Sequence, residues 1–281
     1  MEIQWPLVLF SLLAGTGAGT LVFIGISELT NTAAKARGIA AWVAAGLIVV
    51  GGLASIAHLG KPDHVMNAVS NLGSFSGISI ELIFIGVSFV VAVIYAVLVR
   101  REGSEAARKA VGVIAAVIGL LFCWALGSSY VIASRPLWAV QTLPLSYFGS
   151  GLASGGFLFL ALAAAFKSEA AELKKLGLFA LIVAAIELIA FVAYGALSGA
   201  PAIADNALLF WGGAVVVGAV VPVISGYLIY RNAEKTTLVY AGLVGALVGG
   251  VAFRALMWVL GSGYLSSFFD VAANSRGLYP F

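Results

Sequence analysis

The sequence predicts an all-α integral membrane protein of eight transmembrane helices, and three observations carry that expectation. Eight apolar runs fill the chain, each about twenty residues long, the length of helix that crosses a bilayer core of roughly 30 Å. Of 281 residues, 62% are hydrophobic and only 10% are charged, against roughly 25% charged in soluble domains. Lys and Arg collect in alternate loops, the asymmetry that orients membrane proteins.

The whole chain, residues 1–281, reads as one membrane domain. The first span covers about 6–27: Pro6 sits at its start, where a missing N–H costs little, and Gly15, Gly17 and Gly19 place small residues at helical spacing. The second covers about 37–58 and ends at His58. The third, about 79–99, carries Glu81 near its start and stops at Arg100-Arg101. The fourth, about 109–133, holds Cys123 and Tyr130. The fifth, about 144–166, opens on Pro144 and repeats the small-residue texture of the first in Ser150-Gly151-Leu152-Ala153-Ser154-Gly155-Gly156. The sixth, about 175–197, contains Glu187. The seventh, about 207–230, contains Pro222, which predicts a kink. The eighth, about 237–260, contains Arg254. Spans one and five share a texture, and Gly-x-Pro loops follow spans two and six, a pattern of two four-helix halves. No strand precedes the Gly-rich run of span one, so it reads as helix packing and not as a phosphate loop.

Eleven Lys and Arg residues follow the odd spans: Lys35, Arg37, Arg100, Arg101, Arg108, Lys109, Lys167, Lys174, Lys175, Arg231 and Lys235. Three, Lys61, Arg135 and Arg276, occupy the other loops and the termini. This predicts a multi-pass protein of the cytoplasmic membrane with both termini outside. Trp5, Trp138 and Trp211 then fall at the outer interface and Trp42 at the inner one.

Several functions are excluded. The net charge of +3 lies in short loops, where it sets topology, and is not a nucleic-acid signal. A single cysteine excludes a disulfide framework and a self-contained Fe–S cluster. The two histidines, His58 and His64, flank one boundary loop and do not face each other across a cavity, and Met66, Met257 and Cys123 add only contrived pairings. No haem and no metal site are expected in this chain. Every lysine lies in a loop or at a span end, which excludes a retinal Schiff base. Glu2 is the only charge ahead of the first span, so no cleaved signal peptide is expected.

Charge inside a bilayer costs about 2.5–3.5 kcal/mol per group on insertion scales, so each such residue is a site candidate. Those inside are Glu81, Glu187 and Arg254; those at a boundary are Glu28, His58, Lys61, Asp63, His64 and Arg135. The topology puts His58, Glu81, Tyr130, Arg135, Trp138 and Arg254 in the outer leaflet together, with Glu187 near mid-membrane. Each has a structural reading too. His58 and Glu81 suit the dipoles at their helix ends, Arg254 snorkels or pairs with Glu81, and Tyr130 and Trp138 are belt aromatics. Jointly, a histidine, a carboxylate and an arginine at one depth suit quinol oxidation. A quinol enters from lipid and must lose two protons with its two electrons, and a His or carboxylate within hydrogen-bond reach takes a proton. A rival reading is a secondary transporter with Glu81, Glu187 and Arg254 as an ion relay.

The stretch Ser55-Ile56-Ala57-His58-Leu59-Gly60-Lys61-Pro62, then Asn71, then Ser79-Ile80-Glu81, resembles the membrane anchor subunit of the dimethyl sulfoxide reductase family. Tyr130 with Arg135-Pro136-Leu137-Trp138 is similar to the outer end of that family's fourth span, and Gly249-Gly250-Val251-Ala252-Phe253-Arg254 resembles its last. The chain departs from the family pattern at Ile80, Gly250 and Trp258. Membrane subunits of polysulfide and nitrite reductases share the eight-span plan. The resemblance implies a menaquinol-oxidising anchor that holds a ferredoxin-like Fe–S subunit, which passes electrons to a molybdopterin catalytic subunit on the outer side. It also implies that His58 and Glu81 accept the quinol protons, that Arg254 holds or polarises the site, and that Lys61, Tyr130, Arg135 and Trp138 line it. Protons and electrons leaving on one side predict electroneutral turnover.

Overall fold

In lipid a helix satisfies its backbone polar groups within one segment, which is why each apolar run folds as one. The computed structural model describes the backbone of residues 2–57, 70, 72–74, 76–133, 135–198 and 203–275, and side chains as far as Gly261 apart from Ser198. Among the described residues there is no strand, and eight helices are long and apolar enough to cross a membrane. They are α1 (Trp5–Thr30), α2 (Ala34–Ala57), α3 (Gly77–Arg100), α4 (Glu105–Ser128), α5 (Thr142–Ala165), α6 (Ala170–Ser198), α7 (Leu208–Arg231) and α8 (Thr237–Ser275).

Local chemistry sets the helix ends. Pro6 occupies the first turn of α1, and Asn31 closes that helix in the left-handed region at φ 52°. Ser76 and Ser104 cap α3 and α4 by accepting the N–H of Ser79 and Ala107, each at 3.3 Å. Short connections make α1 and α2, α3 and α4, and α5 and α6 neighbours. Several ends depart from the expected spans: α4 and α6 start earlier, at Glu105 and Ala170 rather than near 109 and 175. α4 stops at Ser128 rather than near 133, so Tyr130 lies beyond the helix, and α8 continues past 260 to Ser275. In α7 a π-helical stretch, Leu208–Val220, leads into Val221–Arg231, and Pro222 follows it at once. The proline ring excludes the ordinary bond to the carbonyl four residues back, so the irregularity sits before the proline.

The helices pack as two groups of four. In the first, α1 touches α2 and α4, α2 touches α3, and α3 touches α4; in the second, α5 touches α6 and α8, and α7 touches both α6 and α8. The halves meet where α5 lies against α1 and α4, most closely at α1. That seam is the place of the two Gly-rich runs. A Cβ on Gly19 would strike the backbone of Gly151, and one on Gly155 would strike Thr20 and Gly19. Without a hydrophobic force between helices in lipid, such close backbone approach supplies the packing that joins them. Two hydroxyls add to it: Thr16 donates to Ser154 at 2.9 Å, and Thr20 to the Gly155 carbonyl at 3.3 Å.

The first half is clamped where α1 ends. Glu28 is fully buried there and bonds the Arg37 guanidinium at 2.8 Å and the Tyr95 hydroxyl at 2.6 Å, with Arg108 at 3.7 Å. Arg37 also donates to Ser27 Oγ, to the Ser27 carbonyl and to the Thr32 carbonyl. A buried charge this fully met locks four helices in one arrangement.

Candidate functional site

Away from that clamp, the start of α3 and the end of α4 form a crevice. It holds about 580 Å³ and is lined by Ile80, Phe84, Leu121, Trp124, Ser129 and Ile132, among others. Leu121, Trp124 and Ile132 are themselves exposed, so the crevice opens on the outer surface of the helices. Phe84 stacks on Phe122 with ring centroids 5.6 Å apart, which makes one wall rigid. Beside the crevice stands Glu81, held through the lining residue Ser129. Its Oε1 accepts the Ser129 hydroxyl at 2.6 Å, and Ser129 also donates to the Leu126 carbonyl at 3.2 Å. Ser76 caps α3 five residues before Glu81 and so fixes where that helix starts.

Behind the crevice lies an aromatic cluster. The Tyr130 ring sits 5.4 Å from Tyr147, 5.9 Å from Trp138 and 6.2 Å from Trp258. Trp138 is not an interfacial belt residue. It is 3% exposed, its Nε1 donates to the Met257 carbonyl at 2.8 Å, and it meets the Trp258 ring edge-on at 5.0 Å. Arg135 covers its other face, with the guanidinium carbon 4.2 Å from the ring centroid. Burial pushes the Tyr130 phenol well above its ordinary range, and Tyr147 and Glu81 add to the effect, so it stays a hydroxyl at neutral pH.

Arg254 lies deeper, 1% exposed, where α1, α5 and α8 meet. It neither snorkels nor bonds Glu81. Nε donates to Ser11 Oγ at 2.9 Å, Nη1 to Ser150 Oγ at 3.1 Å and to the Gly250 carbonyl at 3.0 Å, and Nη2 to the Ser11 carbonyl at 3.2 Å. Its guanidinium carbon stands 4.7 Å from the Tyr147 ring centroid. Tyr147 is thereby the link between the aromatic cluster and the arginine.

Glu81, Tyr130, Arg135, Trp138 and Arg254 are therefore drawn into one connected region. His58, Lys61, Asp63 and His64 lie outside the described residues. Ser129, Tyr147, Ser11 and Ser150 also belong to the region; as uncharged hydroxyls in apolar runs they give no site signal in the sequence, Ser150 reading there only as part of a helix-packing run. Among the described residues no group of three metal-ligating side chains comes together.

The crevice is apolar and opens on the outer surface of the helices, and one carboxylate with an oriented hydroxyl stands beside it, the few-polar-groups pattern of small-molecule sites.

Residues 1–257 match the family described as DMSO reductase anchor subunit (DmsC). The anaerobic dimethyl sulfoxide reductase chain YnfH of Escherichia coli is 29% identical over 163 residues, 57% of each protein. The C subunit of the anaerobic dimethyl sulfoxide reductase of Escherichia coli is 28% identical over 172 residues, 57% of this protein and 58% of that one. The corresponding C subunit of Haemophilus influenzae is 27% identical over 192 residues, 66% of this protein and 68% of that one. The matched stretch thus spans somewhat under three fifths of the length of the first two relatives.

Proposed function

The chain belongs to the DMSO reductase anchor subunit family, and from that premise we propose that it oxidises menaquinol in the α3–α4 crevice and delivers the electrons to an Fe–S partner subunit. The observation that carries the reading is the Glu81 carboxylate, held by the Ser129 hydroxyl at 2.6 Å beside an apolar crevice. A quinol ring seated there loses one hydroxyl proton to the carboxylate. His58, carried over from the family motif, takes the second. Two electrons leave with the two protons, and the ring becomes quinone. Ser129 fixes which carboxylate lone pair faces the ring. Tyr130 and Trp138 close the inner wall, and Arg254 sets a positive potential behind it. Arg135 stacks on Trp138 in that wall, and Lys61 is carried over from the family motif as a further quinol contact.

The partners follow from the anchor role: a ferredoxin-like Fe–S subunit docked over the site and a molybdopterin catalytic subunit beyond it. The protein lies in the cytoplasmic membrane with both termini outside, and protons and electrons leave on that same side without net charge transfer. The relay reading finds little support at the far end of the bundle, where Glu28 is already engaged by Arg37, Tyr95 and Arg108.

The test uses the assembled complex in vesicles. Glu81→Gln lowers quinol-driven turnover by roughly 10²–10⁴-fold, the usual worth of a positioned base. Turnover driven by a soluble viologen dye, which feeds the partner subunits directly, stays at the wild-type rate. Quinol-driven turnover that survives in Glu81→Gln overturns the proposal.

A further inference from the structure

One buried carboxyl takes no part in the crevice. Glu187, on α6, is 0% exposed, and neither of its oxygens has a hydrogen-bond partner among the described residues. Its position is imposed by packing. A Cβ on Gly149 of α5 would stand 2.7 Å from the Glu187 Cα, so α5 and α6 touch backbone to backbone at that level. The carboxyl is thereby enclosed within the second half of the bundle. The polar groups that bear on it are the Ser150 hydroxyl and the Arg254 guanidinium, and Arg254 Nη1 donates to that same hydroxyl at 3.1 Å.

Arg254 is a permanent cation, yet all four of its hydrogen bonds run to hydroxyls and carbonyls. The other buried charges, Glu28 and Arg37, neutralise each other at the opposite end of α1. Glu187 is therefore the counter-charge available to Arg254. Ionised, it makes the enclosure neutral but leaves a buried carboxylate with the Ser150 hydroxyl as its one neighbouring donor. Protonated, it leaves the guanidinium uncompensated. Both states carry a penalty of the same kind, so the charge around the pair bears on which one holds. Other elements add no competing charge. α5 presents Tyr147 and Ser150, α8 presents Arg254, and α7 has no titratable side chain between Leu208 and Gly226. On α6 itself, Tyr194 donates to the Leu137 carbonyl.

We propose that Glu187 is a second proton-exchanging site of this protein, a buried carboxyl that takes up and releases one proton against the fixed charge of Arg254. On release the Glu187 O–H bond breaks and the enclosure goes from one net positive charge to none. The released proton passes to solvent, with the Ser150 hydroxyl as the polar group next to the carboxyl, and no electron moves. Tyr147 feels Glu81 as well as Arg254. Protonation of Glu81 removes a negative charge from that side and so favours release at Glu187. That coupling rests on the quinol reading, whereas the exchange at Glu187 does not.

Infrared difference spectroscopy of the complex in vesicles separates the two. A pH step without quinol gives a carboxylic-acid carbonyl band that shifts in D2O, is lost in Glu187→Gln, survives in Glu81→Gln, and moves in frequency in Ser150→Ala. The Ser150→Ala variant serves where Glu187→Gln fails to assemble, which loss of dye-driven turnover from the vesicle fraction reports. Absence of the band from the wild type, persistence in an assembled Glu187→Gln, or an unmoved band in Ser150→Ala overturns the proposal. A band that answers to pH but not to added quinol upholds the exchange and tells against the quinol reading instead.

Discussion

Replacing Gly155 by alanine tests how the two halves of the bundle are joined. The new Cβ would stand 2.6 Å from the Gly19 Cα, with Thr20 N and the Gly19 carbonyl carbon closer still. All three are backbone atoms of α1, so no side-chain rotation relieves the clash. The nearest of them, Thr20 N, is at 2.3 Å, so reaching ordinary contact at 3.4 Å requires α1 and α5 to part by about 1.1 Å. The Thr16–Ser154 bond, now 2.9 Å, then stretches to about 4.0 Å and is lost. Overpacking costs about 1–3 kcal/mol and an interhelical hydrogen bond in a bilayer about 0.6 kcal/mol, so Gly155→Ala destabilises by about 2–4 kcal/mol. Gly46→Ala is the control: its Cβ meets nothing within 4 Å, and alanine favours the helix by about 1 kcal/mol. Reversible unfolding of the purified protein in mixed micelles, with denaturing detergent as the variable, measures both. Equal stability of the two variants would refute the packing argument. Gly155→Ala also disturbs Arg254, whose partners Ser11 and Ser150 come from the same two helices.

Three further outcomes are expected. Ser129→Ala removes a hydrogen bond to a charged group, worth about 1.5–3 kcal/mol, and lowers quinol-driven kcat/KM by roughly ten- to hundred-fold, with dye-driven turnover unchanged. Arg37→Leu leaves buried Glu28 short of its closest cation and destabilises the protein by about 3–5 kcal/mol; adding Glu28→Gln restores at least half of the loss in the same unfolding assay. Trp138→Phe deletes the bond to the Met257 carbonyl and costs about 1 kcal/mol, seen as earlier unfolding together with a change in tryptophan fluorescence.

The eight helices were legible because a bilayer fixes one length and one polarity for anything that crosses it. Glu81, Tyr130 and Arg254 were legible as a group because alternation of the spans assigns each a depth. Depth does not say which faces meet. The partner of Arg254 was open between Glu81 and the headgroup region, and it is a cage of Ser11, Ser150 and backbone carbonyls from three helices. Those serines look like any other small polar residue in an apolar run. Trp138 follows a boundary loop, where aromatics commonly sit in the interface, and only the return of α8 beneath it places it inside. A Cβ on Gly261 would meet its ring at 2.6 Å, a close approach that sequence spacing does not reveal. The π-helical stretch of α7 was legible only as a proline, one turn from where the helix widens.

The central claim is the location of the quinol, and a photoreactive menaquinone analogue tests it directly. Irradiated with the complex in vesicles and mapped by peptide mass spectrometry, the analogue should label the crevice segments around Ile80–Phe84 and Leu121–Ile132. Excess unlabelled menaquinone should suppress that labelling. A second groove of about 640 Å³, lined by Asp205, Asn206, Leu208, Leu209 and Gly212, lies beside α7 and is the natural competitor. Competable labelling there, with none on α3 or α4, would contradict the account.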